Sequence, residues 1–145
     1  MRLLVLAGTV FLSAAIASQA MADSDEVSCL ARGHSGSAPD GVRWVRADRD
    51  EGGAAYEPLV GDWDAVVDVS RSAPHARGAL EALGARTEHW TYVSSCSAYA
   101  RNDQPGADES AELLPRTTDP VPSRPTDRRR WPPSWRSRTR SGTAR

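Results

Sequence analysis

The sequence predicts an α/β fold in which a parallel sheet is built from strands that alternate with helices. Five short segments rich in Leu, Val, Trp and Tyr recur along the first two thirds of the chain. Short apolar runs of this composition are typical of buried strands. Helix-compatible stretches lie between several of them, and such alternation indicates right-handed βαβ units. The chain has 145 residues, which limits it to one domain.

Each element is predicted from its own composition and boundary residues. The five predicted strands are residues 3–6 (LLVL), 27–30 (VSCL), 42–47 (VRWVRA), 64–70 (DAVVDVS) and 89–95 (HWTYVSS). Helices are predicted for the Ala-rich residues 11–22 and for residues 73–84, where Pro74 and Gly84 are typical helix boundaries. The stretch GAAYEPLV, residues 53–60, is helix-compatible but interrupted by Pro58. Five such strands form half of a doubly wound sheet.

The composition changes after residue 115. Residues 116–145 hold nine Arg and two acidic residues, whereas residues 1–115 hold nine Arg and seventeen acidic residues. The final segment is rich in Pro, Ser and Thr and has no apolar period, which predicts a disordered basic tail behind an acidic domain. Trp131 and Trp135 among the arginines would offer base stacking, but no nucleic-acid-binding fold accompanies them. We therefore favour a tail that binds no nucleic acid.

The cysteines and histidines do not predict a metal site. Cys29 and Cys96 form no CxxC pair, and the three His are scattered. We favour two reduced, half-buried thiols, although the sequence also allows a disulfide. Cys96 is expected to be a small buried residue, since no His or acid stands at a recognisable spacing from it.

The N-terminus has two interpretations. Arg2, the apolar residues 3–17 and the A-x-A site ending at Ala22 have the layout of a cleaved signal peptide. The same residues also form a strand, a turn and a helix, which is the interpretation we favour. It predicts a cytoplasmic protein, with no membrane span because no long apolar run follows. The alternative is a small secreted protein cleaved after Ala22.

The turn after the first strand resembles a known motif. The segment AGTVFLS, residues 7–13, is similar to the GGTxFLG turn of the NAD-dependent epimerase/dehydratase family, the extended short-chain dehydrogenases/reductases. The matching residues are Gly8, Thr9, Phe11 and Leu12. The three family glycines fall on Ala7, Val10 and Ser13. The resemblance covers roughly residues 1–115 and implies an incomplete Rossmann-like NAD(P)-binding domain, with the four matching residues at the cofactor.

Further positions follow from the same resemblance. Arg32 stands where NADP-preferring members place a guanidinium near the 2′-phosphate, and no acidic residue ends this strand to bind an NAD ribose. Asp48 matches an Asp that contacts the adenine, although it would also cap the following turn. Val69 and Ser70 match the strand end on the nicotinamide side. The implied cofactor is NAD or NADP, with weak or lost binding because the glycines are missing.

The resemblance also names a catalytic candidate. HWTYVSSCSAYA resembles the fifth strand of the family with its active-site Ser, and Ser95 precedes Tyr99 by four residues as the family motif requires. Without its Tyr and Lys partners, we favour the simpler interpretation of Ser95 as a strand-end Ser bonded to backbone. The family base is a Tyr whose pKa is lowered by a Lys four residues later.

No such pair exists in this chain. Tyr99 is the last Tyr, Lys is absent, and six Pro fall between Pro115 and Pro133. The resemblance therefore implies hydride chemistry on a nucleotide sugar or similar hydroxylated substrate, by a chain that is inactive as written. The abrupt end of the resemblance near residue 115 indicates a truncation or a shifted reading frame.

Overall fold

A computed structural model describes residues 1–7, 9–23, 25–101 and 103–115. The predicted disordered tail and Gly8 lie outside the described residues. The strands and α-helices found in that part of the chain are β1 (Arg2–Leu6), α1 (Phe11–Ala22), β2 (Glu26–Leu30), β3 (Arg43–Val45), β4 (Trp63–Asp68), α2 (Ala73–Leu83) and β5 (Thr87–Tyr92). The predicted α/β, Rossmann-like fold is confirmed.

The five strands form one parallel sheet in the order β3-β2-β1-β4-β5. β1 lies at the centre, where Leu3 pairs with Val27 on one side and with Ala65 on the other. Most of β1 is fully buried. Loss of residues 1–22 would therefore remove the central strand together with α1.

Helices cover both faces of the sheet, because successive strand residues point to opposite sides. Leu3 and Val5 pack with Ala17 and Ala20 of α1 on one face. Leu4 and Leu6 face the opposite layer, which contains Leu83 of α2 and the 3₁₀ segment Arg49–Tyr56. Because all five strands are parallel, their carboxyl ends lie at the same end of the sheet.

Two sequence-based expectations are corrected at the level of local structure. GAAYEPLV does not form its own helix, since its first residues complete the 3₁₀ segment, which is kinked at Gly52 with φ 65°. Cys96 is exposed rather than buried, because β5 ends at Tyr92 and Cys96 begins a 3₁₀ turn outside the sheet. Cys29 is fully buried in β2, and its thiol is free.

No helix among the described residues is long and apolar enough to span a lipid bilayer.

Candidate functional site

A cleft of about 230 Å³ opens at the carboxyl ends of β1, β2 and β4. The strand order reverses between β1 and β4, and parallel α/β sheets bind ligands at such a switch point. Four chain segments form its walls: the turn after β1, the loop after β2, the residues after β3, and the segment from β4 into α2.

Five of the predicted cofactor residues line this cleft together. They are Thr9, Arg32, Asp48, Val69 and Ser70. These residues lie together because the strands are parallel, so that the carboxyl ends of separate strands lie at the same end of the sheet.

The other predicted site residues lie elsewhere. Phe11 and Leu12 begin α1 but are not among the residues that line the cleft, and the Phe11 side chain is 91% exposed. Ser95 is also outside the cleft. Its hydroxyl accepts a hydrogen bond from the Ser97 backbone at 3.2 Å and caps the turn Cys96–Ala98.

The first turn is held in an unusual backbone conformation. Ala7 has φ 75°, the left-handed region that favours glycine. Its carbonyl oxygen accepts the Thr9 N–H at 2.9 Å and lies 2.5 Å from the Ser13 hydroxyl. α1 begins at Phe11, and the first N–H groups of a helix have no partner within it. The helix dipole favours an anion at this end of the cleft, beside Val10.

The loop after β2 packs closely on this turn. Gly36 has φ 146°, and a Cβ placed there would lie 2.5 Å from the Thr9 carbonyl oxygen. A side chain at position 36 would therefore push the loop away from the turn. Val10, half-exposed, lines the cleft wall at the same end.

An ion-pair group stands on one wall of the cleft. The Arg32 guanidinium lies 3.6 Å from the Asp48 carboxylate and 3.7 Å from that of Asp50. Asp50 also contacts the His75 ring at 2.6 Å, and this hydrogen bond, helped by the charges of His75 and Arg32, lowers the pKa of Asp50. A bound anion would have to compete with both carboxylates for Arg32.

Asp48 has a second contact that fits its alternative interpretation. Its carboxylate accepts the Asp50 backbone N–H at 3.0 Å and caps the 3₁₀ segment. The residue thus caps the turn and lines the cleft at the same time.

One feature that the sequence did not predict is a buried ion pair at the cleft, where Arg49 is one of the lining residues. Arg49 donates two hydrogen bonds to Asp68, at 3.0 and 2.9 Å, and both side chains are almost fully buried. Burial alone would lower the pKa of Arg49, but the hydrogen bond and charge of Asp68, with Tyr56, raise it instead. The signal in the sequence was an Asp inside the apolar run DAVVDVS, which needs a cationic partner when buried.

Ser70 leaves a polar atom unsatisfied in the cleft wall. Its N–H donates to Asp68 at 2.9 Å, and its carbonyl accepts the Tyr92 hydroxyl at 2.9 Å. Its own hydroxyl is buried without a hydrogen-bond partner. Such orphaned groups are rare in native structures and mark places where a ligand or water can bind.

Among the described residues, no group of three or more His, Cys, Asp or Glu side chains is arranged to hold a metal ion.

Comparisons with known proteins find similar solved structures but no similar sequences. No family model matches the sequence, and no curated protein matches it. A UDP-galactose 4-epimerase superimposes with a TM-score of 0.70 at 15% identity, covering 79% of this chain and 45% of that one. The chain shares its fold.

Two further solved structures have the same fold. The UDP-glucose 4-epimerase of Thermus thermophilus, solved in complex with NAD, has a TM-score of 0.64 at 21% identity, covering 79% of this chain and 45% of that one. Vestitone reductase from alfalfa (Medicago sativa L.) has a TM-score of 0.55 at 19% identity, covering 68% of this chain and 37% of that one. This chain thus spans less than half the length of each of the three.

Proposed function

We propose that residues 1–115 form the dinucleotide-binding unit of an oxidoreductase of the NAD-dependent epimerase/dehydratase type. The observation that carries this proposal is the convergence of five predicted cofactor residues, from four segments, on one cleft at the switch point of the sheet. The fold likeness to nucleotide-sugar 4-epimerases and to a reductase supports the same class. A nucleotide sugar or a similar hydroxylated molecule is the proposed substrate.

The residues present fit NAD or NADP at several points. The left-handed turn at Ala7 and the amino end of α1 would bind the pyrophosphate. Arg32 and Asp48 line the cleft and would contact the adenosine end, as the family resemblance implies, and the unpartnered Ser70 hydroxyl would be available to a ribose hydroxyl. When bound, the nicotinamide would supply the hydride acceptor or donor.

Two features predict weak binding and no turnover by this chain. The Val10 side chain occupies a position where the family has glycine, so the backbone is held away from a pyrophosphate. The chain contains no Lys to lower the pKa of a tyrosine base. Ser95, outside the cleft, stays a catalytic candidate that lacks its partners.

A titration with NADH and NADPH, followed by nicotinamide fluorescence, tests the proposal. We expect weak binding of both, and an Arg32→Gln variant should lose affinity for NADPH more than for NADH. Arg43→Gln is the matched control, because Arg43 is an exposed arginine on β3 that does not line the cleft. Failure of both nucleotides to bind at millimolar concentration would refute the dinucleotide function.

The proposal includes a cytoplasmic location with the N-terminus retained. The central place of β1 supports it, because the sheet needs residues 2–6. An intact mass of the protein from its native host tests this point. We expect the full chain, with or without Met1, whereas a mass lacking residues 1–22 would support the secreted alternative.

A further inference from the structure

The buried pair of Arg49 and Asp68 joins segments that the sheet keeps apart. Arg49 follows β3, and Asp68 ends β4, while β2 and β1 lie between these two strands. The two partners meet because the 3₁₀ segment that begins at Arg49 packs over the face of the sheet that also carries α2. A neighbour of each partner lines the cleft, namely Asp48 just before Arg49 and Ser70 two residues after Asp68.

The same two side chains also anchor the backbone of the walls. Asp68 accepts the Ser70 N–H at 2.9 Å, which holds the segment after β4. Arg49 donates to the His75 carbonyl at 2.7 Å, which holds the start of α2. The Tyr56 hydroxyl accepts from Arg49 at 3.0 Å and donates to the same His75 carbonyl at 3.2 Å. The walls that follow β3 and β4 are thus tied to one guanidinium.

Stability alone does not account for this arrangement. A buried ion pair loses much of its attraction to the desolvation of both charges, and replacing such a pair by apolar side chains is often neutral or stabilising. What the apolar replacement cannot reproduce is the hydrogen bonding to Ser70 and His75. The pair is therefore better suited to fixing geometry than to adding stability.

We propose that Asp68 and Arg49 are positioning residues that set the separation of the cleft walls and so control dinucleotide affinity. Asp68 acts through Arg49 and through the Ser70 backbone. This inference rests on the proposed function, because the ligand is the dinucleotide assigned there. It adds residues that the family resemblance did not assign.

The test compares a double apolar variant, Arg49→Met with Asp68→Leu, with wild type and with Leu83→Ala. Leu83 is fully buried at the end of α2 remote from the cleft, so its truncation destabilises without touching the walls. We expect the double variant to keep a melting temperature at or above that of Leu83→Ala, yet to bind NADH about tenfold more weakly than Leu83→Ala does. Equal affinities would overturn the proposal.

A second variant serves if the double variant does not fold. Tyr56→Phe removes only the hydroxyl that braces Arg49 and the His75 carbonyl, and the ring keeps its place in the core. We expect a smaller loss of NADH affinity with little change in melting temperature. Unchanged affinity in this variant would contradict the positioning role.

Amide hydrogen exchange separates this proposal from the proposed function. In the double variant, or in Tyr56→Phe, the backbone N–H groups of residues 70–76, apart from Pro74, should exchange faster while those of β1 stay protected. That result would support the positioning role even if wild type bound no dinucleotide, which would refute only the proposed function. Unchanged exchange at residues 70–76 would overturn the positioning role whatever the affinity.

Discussion

The Ser13 hydroxyl lies 2.5 Å from the carbonyl oxygen of Ala7, six residues earlier in the chain. It also lies 2.7 Å from the Val10 carbonyl oxygen and 3.4 Å from the Val10 nitrogen. Ser13 therefore ties the first turn to the first residues of α1. The contact holds Ala7 in a left-handed conformation, φ 75°, that an alanine adopts only at a cost.

Replacing Ala7 by glycine should stabilise the protein. The left-handed conformation costs an L-residue about 1–2 kcal/mol. Glycine avoids this cost, but it loses more conformational entropy on folding than alanine does, which lowers the gain by about 0.5–1 kcal/mol. We expect Ala7→Gly to raise the free energy of unfolding by about 0.5–1 kcal/mol, measured by urea denaturation. Ala15→Gly, at an exposed position inside α1, is the control and should lower it by about 1 kcal/mol. Equal losses in both variants would contradict the strain at Ala7.

Removing the Val10 side chain should improve dinucleotide binding. Val10 lines the cleft beside the amino end of α1, where the backbone must approach a pyrophosphate. Glycine is acceptable at a helix N-cap, so Val10→Gly should fold. We expect the dissociation constant for NADH to fall by roughly fivefold, equivalent to about 1 kcal/mol.

The control for that measurement is Val60→Gly. Val60 is an exposed valine just before β4, at the opposite end of the strands from the cleft. Its replacement should leave NADH affinity unchanged. A weaker affinity in Val10→Gly would show that this side chain contributes to the site rather than obstructing it.

The contact between Asp50 and His75 predicts a specific acid dependence of stability. The folded protein lowers the pKa of Asp50, so the stabilisation is present above the ordinary carboxyl range and is lost as pH falls through the lowered pKa. The stability difference between wild type and Asp50→Asn should therefore shrink as pH is lowered below about 4. Denaturant unfolding between about pH 2 and about pH 5 measures it.

Glu51→Gln is the matched variant for this experiment. It removes one neighbouring negative charge but leaves the contact of Asp50 with His75 in place. A difference that shrinks in the same way for both variants would assign the effect to net charge rather than to the contact.

The two thiols should differ sharply in reactivity. Burial raises the pKa of Cys29 to about 12, whereas Cys96 is exposed. Because the thiolate is the reactive form, a colorimetric disulfide reagent at neutral pH should label Cys96 in the native protein and both thiols after unfolding in urea. Cys96→Ser should abolish native labelling, and rapid labelling of that variant would mean that β2 opens far more readily than its burial indicates.

The sequence predicted most of the sheet because its signals are local. Apolar runs such as LLVL mark strands by composition alone, and Pro74 with Gly84 marks the ends of a helix within one segment. Boundaries were less accurate: the third strand contains only Arg43–Val45 instead of residues 42–47. Polar and charged residues on both sides of this strand interrupt the apolar alternation, so the alternation does not mark where the strand begins and ends.

The site was predictable only where a residue follows a strand. The family resemblance assigned Arg32 and Ser70 to the ends of the second and fourth strands, and the parallel topology brings both residues to one cleft. The pairing of Arg49 with Asp68 could not be read from local sequence, because the two residues are joined only when strands separated by two others enter one sheet. The exposure of Cys96 was missed for a similar reason, since it depends on where β5 ends.

The place of β1 in the sheet has a consequence for how the chain folds during synthesis. β1 leaves the ribosome before the other four strands of the sheet, yet the backbone N–H of Arg2 donates to Asp64, 62 residues further along. Parallel pairing over such distances is slow, because loop closure precedes any gain in contacts. The apolar edge of β1 therefore stays open until β4 has emerged. The nascent chain should be most exposed to aggregation, and most dependent on chaperones, during this interval.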